Sequence, residues 1–564
     1  MIRMNTARLR STLYPFMWVL GVLMFGCSVS QVWAGALATD LTVDVRADAL
    51  GNAVVADPPG VVGAINYNPA GLALLDGRRI DYEAVAVQFA IHNTFSAPPG
   101  YNVFGYSDDP VVCQEPNGNI GYCKNFKTGT STVQGVALYI PVLDKTIDLP
   151  PGPALAPNAL GVSVQAPGSN LTFADGVFAP MLAGFYRNPN DPGVFLGQQM
   201  ALERVTYFSP SVGLKINDKW SVGASVNVSY QALSLDTQFR SPNELVGLLR
   251  LINDSVCPPF KNNNNIITDL FLFGFCNAQQ SVGPFTPLAQ LKLSMQDTVS
   301  PTYNLGVLWK PNDRFSWGAE YRSESRMHLI GKYEIDYGQG TQDVFNAVGG
   351  SATGSIALSI LGLPTSIPQK ETGLVSMNLT YPQHFQTGIS WRAWNPFKLN
   401  FDVSWDDYGQ WTSFPIQFDR TPRVLQIARL LSPNATLSSI NMPLGFQSPW
   451  SWGIGTETTL TPRLVFRFGF EQRGSAIPFD KRSSLVPITT AHMWGTGFGY
   501  QIDKDSDVDL TLMRLISKDT IPANTSTNFN ATGINNVIYN PYAGLDGTTM
   551  AQVTMIGMAY RTRW

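Results

Sequence analysis

The chain has 564 residues, with 38 Lys and Arg against 41 Asp and Glu; the resulting net charge of −3 leaves no electrostatic footprint for nucleic acid. Charged residues make up only 14% while aromatics reach 11%, whereas typical soluble domains carry ~25% charge. This argues against a soluble enzyme and suits a transmembrane β-barrel, where lipid-facing and lumen-facing residues alternate and cancel in any average.

The first 34 residues have the form of a secretory signal peptide. Arg3, Arg8 and Arg10 precede an apolar run over 13–24, and Val32-Trp33-Ala34 is an A-x-A-like cleavage site before Gly35. Gly26-Cys27 offers a lipidation site as a rival, but Met24-Phe25 is a poor lead-in for it. Beyond this run no apolar stretch of ~20 residues occurs, so the chain is not expected to cross a membrane by helices.

Residues 35–79 lack strand alternation and contain Tyr67-Asn68-Pro69-Ala70-Gly71-Leu72-Ala73. Asn68 is suited to bond nearby backbone, Pro69 fixes φ, and Ala70-Gly71 allow a turn to press closely against a wall. From residue 80 onward the pattern changes to period two. Trp220, Val222, Ala224, Val226, Val228 and Tyr230 share one face, with Ser221, Gly223, Ser225, Asn227 and Ser229 on the other. Phe315-Trp317-Ala319-Tyr321, Leu399-Phe401-Val403-Trp405 and Leu464-Phe466-Phe468-Phe470 repeat it, and each run meets the ~9–11 residues a spanning strand needs.

The connections separate a barrel from a soluble sandwich. Short polar turns fall near 217–218, 311–313, 395–396, 460–462 and 503–506, and they alternate with long connections at about 92–131, 175–200, 236–296, 336–369, 411–447, 474–487 and 518–548. Only a turn near 143–157 is longer than its class. Aromatics such as Trp220, Trp309, Phe315, Trp391 and Phe397 lie beside the short turns, where an interfacial girdle belongs. The count is about fourteen strands, which enclose a lumen too wide for wall side chains to fill, so something must plug it. The expected fold is an all-β transmembrane antiparallel barrel over 80–564, with residues 35–79 as an N-terminal hatch inside the lumen.

In the stretch 161–173, Pro167, Gly168 and Ser169 interrupt a third strand, where loss of a ladder donor would open the wall. Two long loops are apolar instead of polar. One carries Leu245, Leu248, Leu249 and Ile252 at helical spacing, then Phe271 and Phe273; the other carries Ile356, Leu358, Ile360 and Leu361. Apolar surface on a water-facing loop marks binding. With Cys27 removed, Cys113, Cys123, Cys257 and Cys276 remain, and the local pairs 113–123 and 257–276 are the simplest of three connectivities. Arg322 and Arg467 are lumen-facing candidates for a carboxylate head group, or partners for Glu320 and Glu471. The chain closes on Ile556, Met558, Tyr560 and Trp564 along one face, as a final barrel strand does.

The Asn-Pro-Ala-Gly-Leu-Ala motif at 68–73, the strands that follow, Tyr321-Arg322-Ser323 and the terminal aromatic together resemble the FadL/TodX/OmpP1 family of outer-membrane transporters for hydrophobic compounds. The resemblance implies an N-terminal hatch, a fourteen-stranded barrel, a capture groove in the two apolar loops and lateral release at a kinked third strand. The function it implies is energy-independent transport of long-chain fatty acids or related hydrophobic molecules. The partners are then those molecules, the lipid and lipopolysaccharide of the bacterial outer membrane, and the barrel-assembly machinery during biogenesis. No metal, cofactor or nucleotide site is expected: there is no CxxC and no P-loop. The four histidines, His92, His328, His384 and His492, form no recognisable Ser–His arrangement, so no enzyme is expected. A surface adhesin or phage receptor using the long loops is the competing reading.

Overall fold

Inside a bilayer no water satisfies a free strand edge, so a spanning sheet must close. The computed structural model closes fourteen antiparallel strands into one barrel. It describes residues 40–41, 43–102, 128–240, 251–260, 276, 288–431, 434–483, 489–531 and 542–564. In chain order the strands are β1 (Arg78–Ser96), β2 (Thr128–Thr132 with Ala154–Gln165), β3 (Leu171–Tyr186), β4 (Gln199–Phe208 with Ser211–Lys215) and β5 (Trp220–Phe239). Then come β6 (Ala289–Asn312), β7 (Phe315–Arg322 with Ser325–Tyr337), β8 (Lys370–Tyr381 with His384–Trp394), β9 (Phe397–Asp406 with Ser413–Phe418) and β10 (Ser439–Pro443 with Trp450–Thr461). The last four are β11 (Leu464–Arg473), β12 (Ala491–Gln501), β13 (Ser506–Ile521) and β14 (Asp546–Arg563). β14 pairs back onto β1 from Arg79↔Arg563 to Ser96↔Asp546, which closes the wall.

Short turns gather on one rim and long connections on the other, as the spacing of turn residues implies. Two expectations are corrected. Pro167, Gly168 and Ser169 do not kink a strand. They form the hairpin turn between β2 and β3 on the short-turn rim, with Gln165 paired to Thr172 and the Ser169 amide donating to the Ala166 carbonyl. Gly168 has φ of +75°, which a tight turn accommodates without a Cβ penalty. The stretch 143–157 is in turn no rim connection. It belongs to a small hairpin, Ala137–Ile140 against Lys145–Asp148, that leaves the wall in the middle of β2.

Several strands exceed what a bilayer requires: β6 runs for 24 residues and β5 for 20. The excess is accompanied by a reversal of side-chain polarity at mid-height. In the half near the short turns, Val226 of β5, Tyr303 and Leu305 of β6 and Leu510 and Leu512 of β13 are exposed outward, while Ser225, Asn227, Asn304 and Asp509 are buried inside. In the other half, Leu291, Leu293 and Met295 of β6, Leu329 and Ile335 of β7, and Met377 and Leu379 of β8 are buried inside. Their outward neighbours there include Lys292, Ser294, Lys332, Glu334 and Asn378. A hydrocarbon belt thus surrounds the lower half, and the upper half is apolar within and polar without.

The polar lower lumen is occupied by residues 40–77, which carry helix α1 (Val45–Ala49), helix α2 (Gly60–Tyr67) and a 3-10 turn (Pro69–Leu74). Asp44 caps α1 by accepting from the Arg46 and Ala47 amides. The segment touches the wall all round, and its backbone comes so close that the facing wall positions are glycine. A Cβ on Gly223 of β5 would lie 2.2 Å from the Pro69 carbonyl, and one on Gly469 of β11 would lie 2.2 Å from the Gly51 amide nitrogen. Gly306, Gly453 and Gly495 face it in the same way.

Gly223→Leu should therefore displace the segment without unmaking the barrel, because overpacking of this kind costs ~1–3 kcal/mol. Trypsin cleavage after Arg46 in detergent measures this. The variant is expected to be cut while its barrel keeps heat-modifiable mobility, and protection equal to the parent would contradict the close approach.

Candidate functional site

The motif at 68–71 anchors the N-terminal segment to the wall. The Asn68 side-chain amide donates to the Val55 carbonyl at 2.8 Å and to the Val307 carbonyl of β6 at 3.0 Å, while its oxygen accepts from the Ala70 amide at 3.1 Å. Pro69 opens the 3-10 turn, Ala70 is fully buried, and Gly71 abuts Pro58 too closely for a Cβ. One side chain thus satisfies three backbone groups in a place that water does not reach.

Charge does the rest of the anchoring. Arg561 of β14 donates to Asp44 and Glu83 at 3.2 Å each and also binds Asp509. Arg46 reaches Asp57 at 2.7 Å and Glu457 at 2.8 Å, and Lys398 of β9 bonds the same two carboxylates. Burial alone would raise the Asp57 carboxyl, yet Lys398 and Arg46 hold it below the usual carboxylate range. Asp48 contrasts with it. Burial, followed by the neighbouring Asp44, pushes its carboxyl well above that range, and neither of its oxygens has a hydrogen-bond partner among the described residues.

Arg322 and Arg467 belong to this anchoring, which corrects their expected place at a head group or beside Glu320 and Glu471. Arg322 donates to Asp40 and to Asn66, at 3.1 Å each. Burial opposes ionisation of Asp40, but the guanidinium keeps its carboxyl low. Arg467 donates to Glu457 at 2.8 Å and binds Asp509. Glu471 is held by Arg473 at 3.0 Å and by Asn52 at 2.8 Å. Alternation places Arg322 and Glu320 on one face, but only the packed N-terminal segment decides which carboxylate comes within reach.

Above this polar layer the lumen is lined by two apolar surfaces. One is built from the upper halves of β5 to β9, with Leu293, Tyr333, Met377 and Phe418, and is joined by Trp411, Phe446 and Leu425. The other is built from β1, β3 and β12 to β14, with Val85, Ile91, Phe185, Met493, Leu515 and Val553. Arg204 of β4, which the sequence reading missed, lies buried at the edge of the first. Its guanidinium donates to the Ser300 hydroxyl at 2.7 Å and the Ser300 carbonyl at 2.8 Å, and stacks 4.2 Å from the Tyr381 ring. Among the described residues it has no carboxylate partner, unlike Arg322 and Arg467. Its only signal in the sequence is an arginine that follows Met200 and Leu202 on the inward face of its strand.

Of the apolar loops, 336–369 folds into helices α3 (Gln339–Gly350) and α4 (Ala352–Ile360). Ile356, Ile360 and Leu361 are exposed and Leu358 is buried. Helix α5 (Arg423–Leu431) lies beside them, and Arg429 donates to the Leu361 and Gly362 carbonyls at 3.1 Å. In the other loop Ile252 is half-buried and Cys257 is bonded to Cys276. Leu245, Leu248, Leu249, Phe271 and Phe273 fall outside the described residues, as do Cys113 and Cys123.

The wall itself is incomplete where polarity reverses. β1 pairs with the two parts of β2 over Arg78 to Val87 and His92 to Ser96, which leaves residues 88–90 without a ladder partner on that side. Across the break, β3 pairs with β2 only up to Phe178, and its register with β4 shifts between Phe178 and Met181, at Pro180. The Asp40 amide of the N-terminal segment donates to the Pro180 carbonyl at 2.8 Å. The inward side chains bordering the break, Val87, Phe89, Ala183 and Phe185, belong to the second apolar surface.

Residues 26–564 match the family described as Outer membrane protein transport protein (OMPP1/FadL/TodX). The long-chain fatty acid transport protein of Escherichia coli O6:H1 is 19% identical over 297 residues, 52% of this chain and 55% of that protein, so the chain spans about half the length of this curated relative. The crystal structure of a Pseudomonas aeruginosa FadL homologue superposes with a TM-score of 0.61 at 16% identity, covering 94% of this chain and 100% of that one. For the toluene transporter TodX of P. putida the TM-score is 0.54 at 14% identity, over 94% and 99% of the two chains. At these identities the structural likeness concerns the fold, but the family match extends over nearly the whole sequence: the chain belongs to the OMPP1/FadL/TodX family of outer-membrane transport proteins.

Proposed function

We propose that this protein carries long-chain fatty acids or related hydrophobic molecules passively through the outer membrane, after export through a cleaved signal peptide. The observation that carries the proposal is the reversal of polarity inside the barrel, with the break in the wall at the level of the reversal. A hydrophobic molecule leaves the aqueous, polysaccharide-covered exterior for the apolar loop surface at Ile356, Ile360 and Leu361. It gains ~25 cal/mol for each Å² removed from water, and no other energy source is required. It then occupies the apolar upper lumen.

Residues 35–79 serve as a hatch. Descent past them would bring an apolar chain against buried carboxylates and guanidiniums, which is unfavourable unless those groups separate. The path of lower free energy is sideways, between residues 88–90 of β1 and residues 179–185 of β3, into the hydrocarbon of the membrane. Arg204 supports a fatty acid as one substrate: a buried guanidinium without a carboxylate of its own is a receptor for a carboxylate head.

Uptake of labelled oleate and of toluene by deletion and complemented cells tests the function; equal uptake of both compounds with and without the protein would refute it. Arg204→Met should lower oleate uptake on the order of tenfold while leaving toluene uptake within ~2-fold, since only the acid loses a charge-assisted contact. Ala183→Trp should narrow the wall break and slow uptake of both compounds roughly tenfold, with normal amounts of heat-modifiable protein at the surface. Unchanged uptake in that variant would discard the lateral route.

A further inference from the structure

Residues 40–77 contain five acidic side chains, and four of them are in ion pairs. Asp40 pairs with Arg322 at 3.1 Å, Asp44 with Arg561 at 3.2 Å, Asp57 with Arg46 at 2.7 Å and Asp76 with Arg79 at 2.6 Å. Asp48 has no such pair among the described residues. It is fully buried on helix α1, its amide donates to the Asp44 carbonyl one turn earlier, and both of its carboxyl oxygens lack a hydrogen-bond partner there.

Helix α1 packs against β11 to β14. From the segment itself Asp40, Asp44 and Tyr67 face Asp48, and from β11 Glu471 and Arg473 do. Arg473 is held by Glu471 at 3.0 Å. β12 faces the helix with glycine: a Cβ on Gly495 would lie 1.9 Å from the Asp48 carbonyl oxygen, so the backbone at residue 48 lies directly on the wall. β13 contributes Thr511, whose hydroxyl donates to the Val45 carbonyl at 2.7 Å, and Asp509, which binds Arg467 and Arg561. β14 contributes Arg561, which also serves Asp44 and Glu83. The cations around α1 are thus engaged by other carboxylates, and the groups nearest Asp48 in charge are acids like itself.

We propose that Asp48 makes the seating of the hatch proton-dependent: with a proton on its carboxyl the segment stays packed in the lumen, and loss of that proton drives the segment from its seat. Ionised in place, Asp48 would face Asp44 and Glu471 with no counterion of its own, whereas in water the same charge is solvated. Burial, followed by Asp44, therefore raises the pH at which the seated carboxyl gives up its proton. A group raised in this way stabilises the seat below that pH, and the stabilisation is lost as pH rises through it. Asp40 and Asp57 have the opposite sense, since their cations hold them low and they weaken the seat only in acid. Alkaline medium is thus the condition that opens the lumen. The inference rests on residues 35–79 serving as the hatch, not on which molecule is carried.

The test compares the parent with Asp48→Asn and Asp48→Ala, two neutral side chains of different size, as full-length protein with heat-modifiable barrels. Trypsin cleavage after Arg46 in mild detergent is followed from about pH 6 to about pH 9 and divided by the rate on an unfolded peptide of the same sequence, which removes the pH dependence of trypsin itself. The parent ratio should rise on the order of tenfold across this range, and both variants should stay within ~2-fold. In planar bilayers, channel openings should become more frequent at the alkaline end for the parent alone. A parent that is protected equally at every pH would overturn the proton link and leave the hatch in place. A parent cut freely at every pH would overturn both, since the segment would then not block the lumen. An equal rise in the parent and both variants would overturn the assignment to Asp48.

Discussion

The longer wall strands of this barrel meet two environments on each of their faces. In the lower half hydrocarbon lies outside and a charged, hydrogen-bonded segment lies within. In the upper half polar side chains face outward, and an apolar lining lies within. Since side chains alternate along a strand, a single strand can serve both halves only by exchanging which face carries apolar residues. β13 does this between Leu512 and Met513: Leu510 and Leu512 point outward, whereas Met513 and Leu515 point inward. That exchange determines where the membrane lies, and it coincides in height with the interrupted pairing between β1 and β3.

Polar residues inside the lower half must be paired, because burial without partners is costly. Residues 40–77 meet that need. Asn68 bridges to the backbone of β6, Arg561 collects Asp44, Glu83 and Asp509, and Arg46 with Lys398 holds Asp57 and Glu457. Such buried pairs contribute little net stability relative to apolar packing, but separating one partner from another is costly. They suit a segment that must remain seated. The inward glycines act in the same sense, since they let backbone approach backbone so closely that few other seatings are compatible.

The outer surface shows the complementary constraint. Where β2 departs from the wall, its excursion covers Glu203 and meets Ser234 and Lys332 on the outside, while the break it leaves behind is bordered by Val87, Phe89 and Ala183 within. One interruption thus produces both an external strap and an internal apolar edge.

The period-two runs and the alternation of short and long connections determined the barrel and the strand count, because both depend on local pattern and bilayer thickness alone, while the motif at 68–73 carried the resemblance to the family. Pro167 and Gly168 were visible as a break, yet whether a Pro-Gly pair ends a strand or bends it depends on which residues its neighbours pair with. The structure makes it a turn and puts the wall break at Pro180 and in the middle of β2. Arg322 and Arg467 were visible as inward cations, but the carboxylate of Arg322 comes from the N-terminal segment 282 positions away. That of Arg467 comes partly from Glu457 opposite it on the adjacent strand, and Arg204 stands apart through the absence of an ion pair among the described residues. Sequence determines what faces lipid and what faces inward, since that follows from alternation. Only tertiary structure decides which inward groups meet, because the seating of residues 40–77 against all sides of the wall brings together residues separated by hundreds of positions.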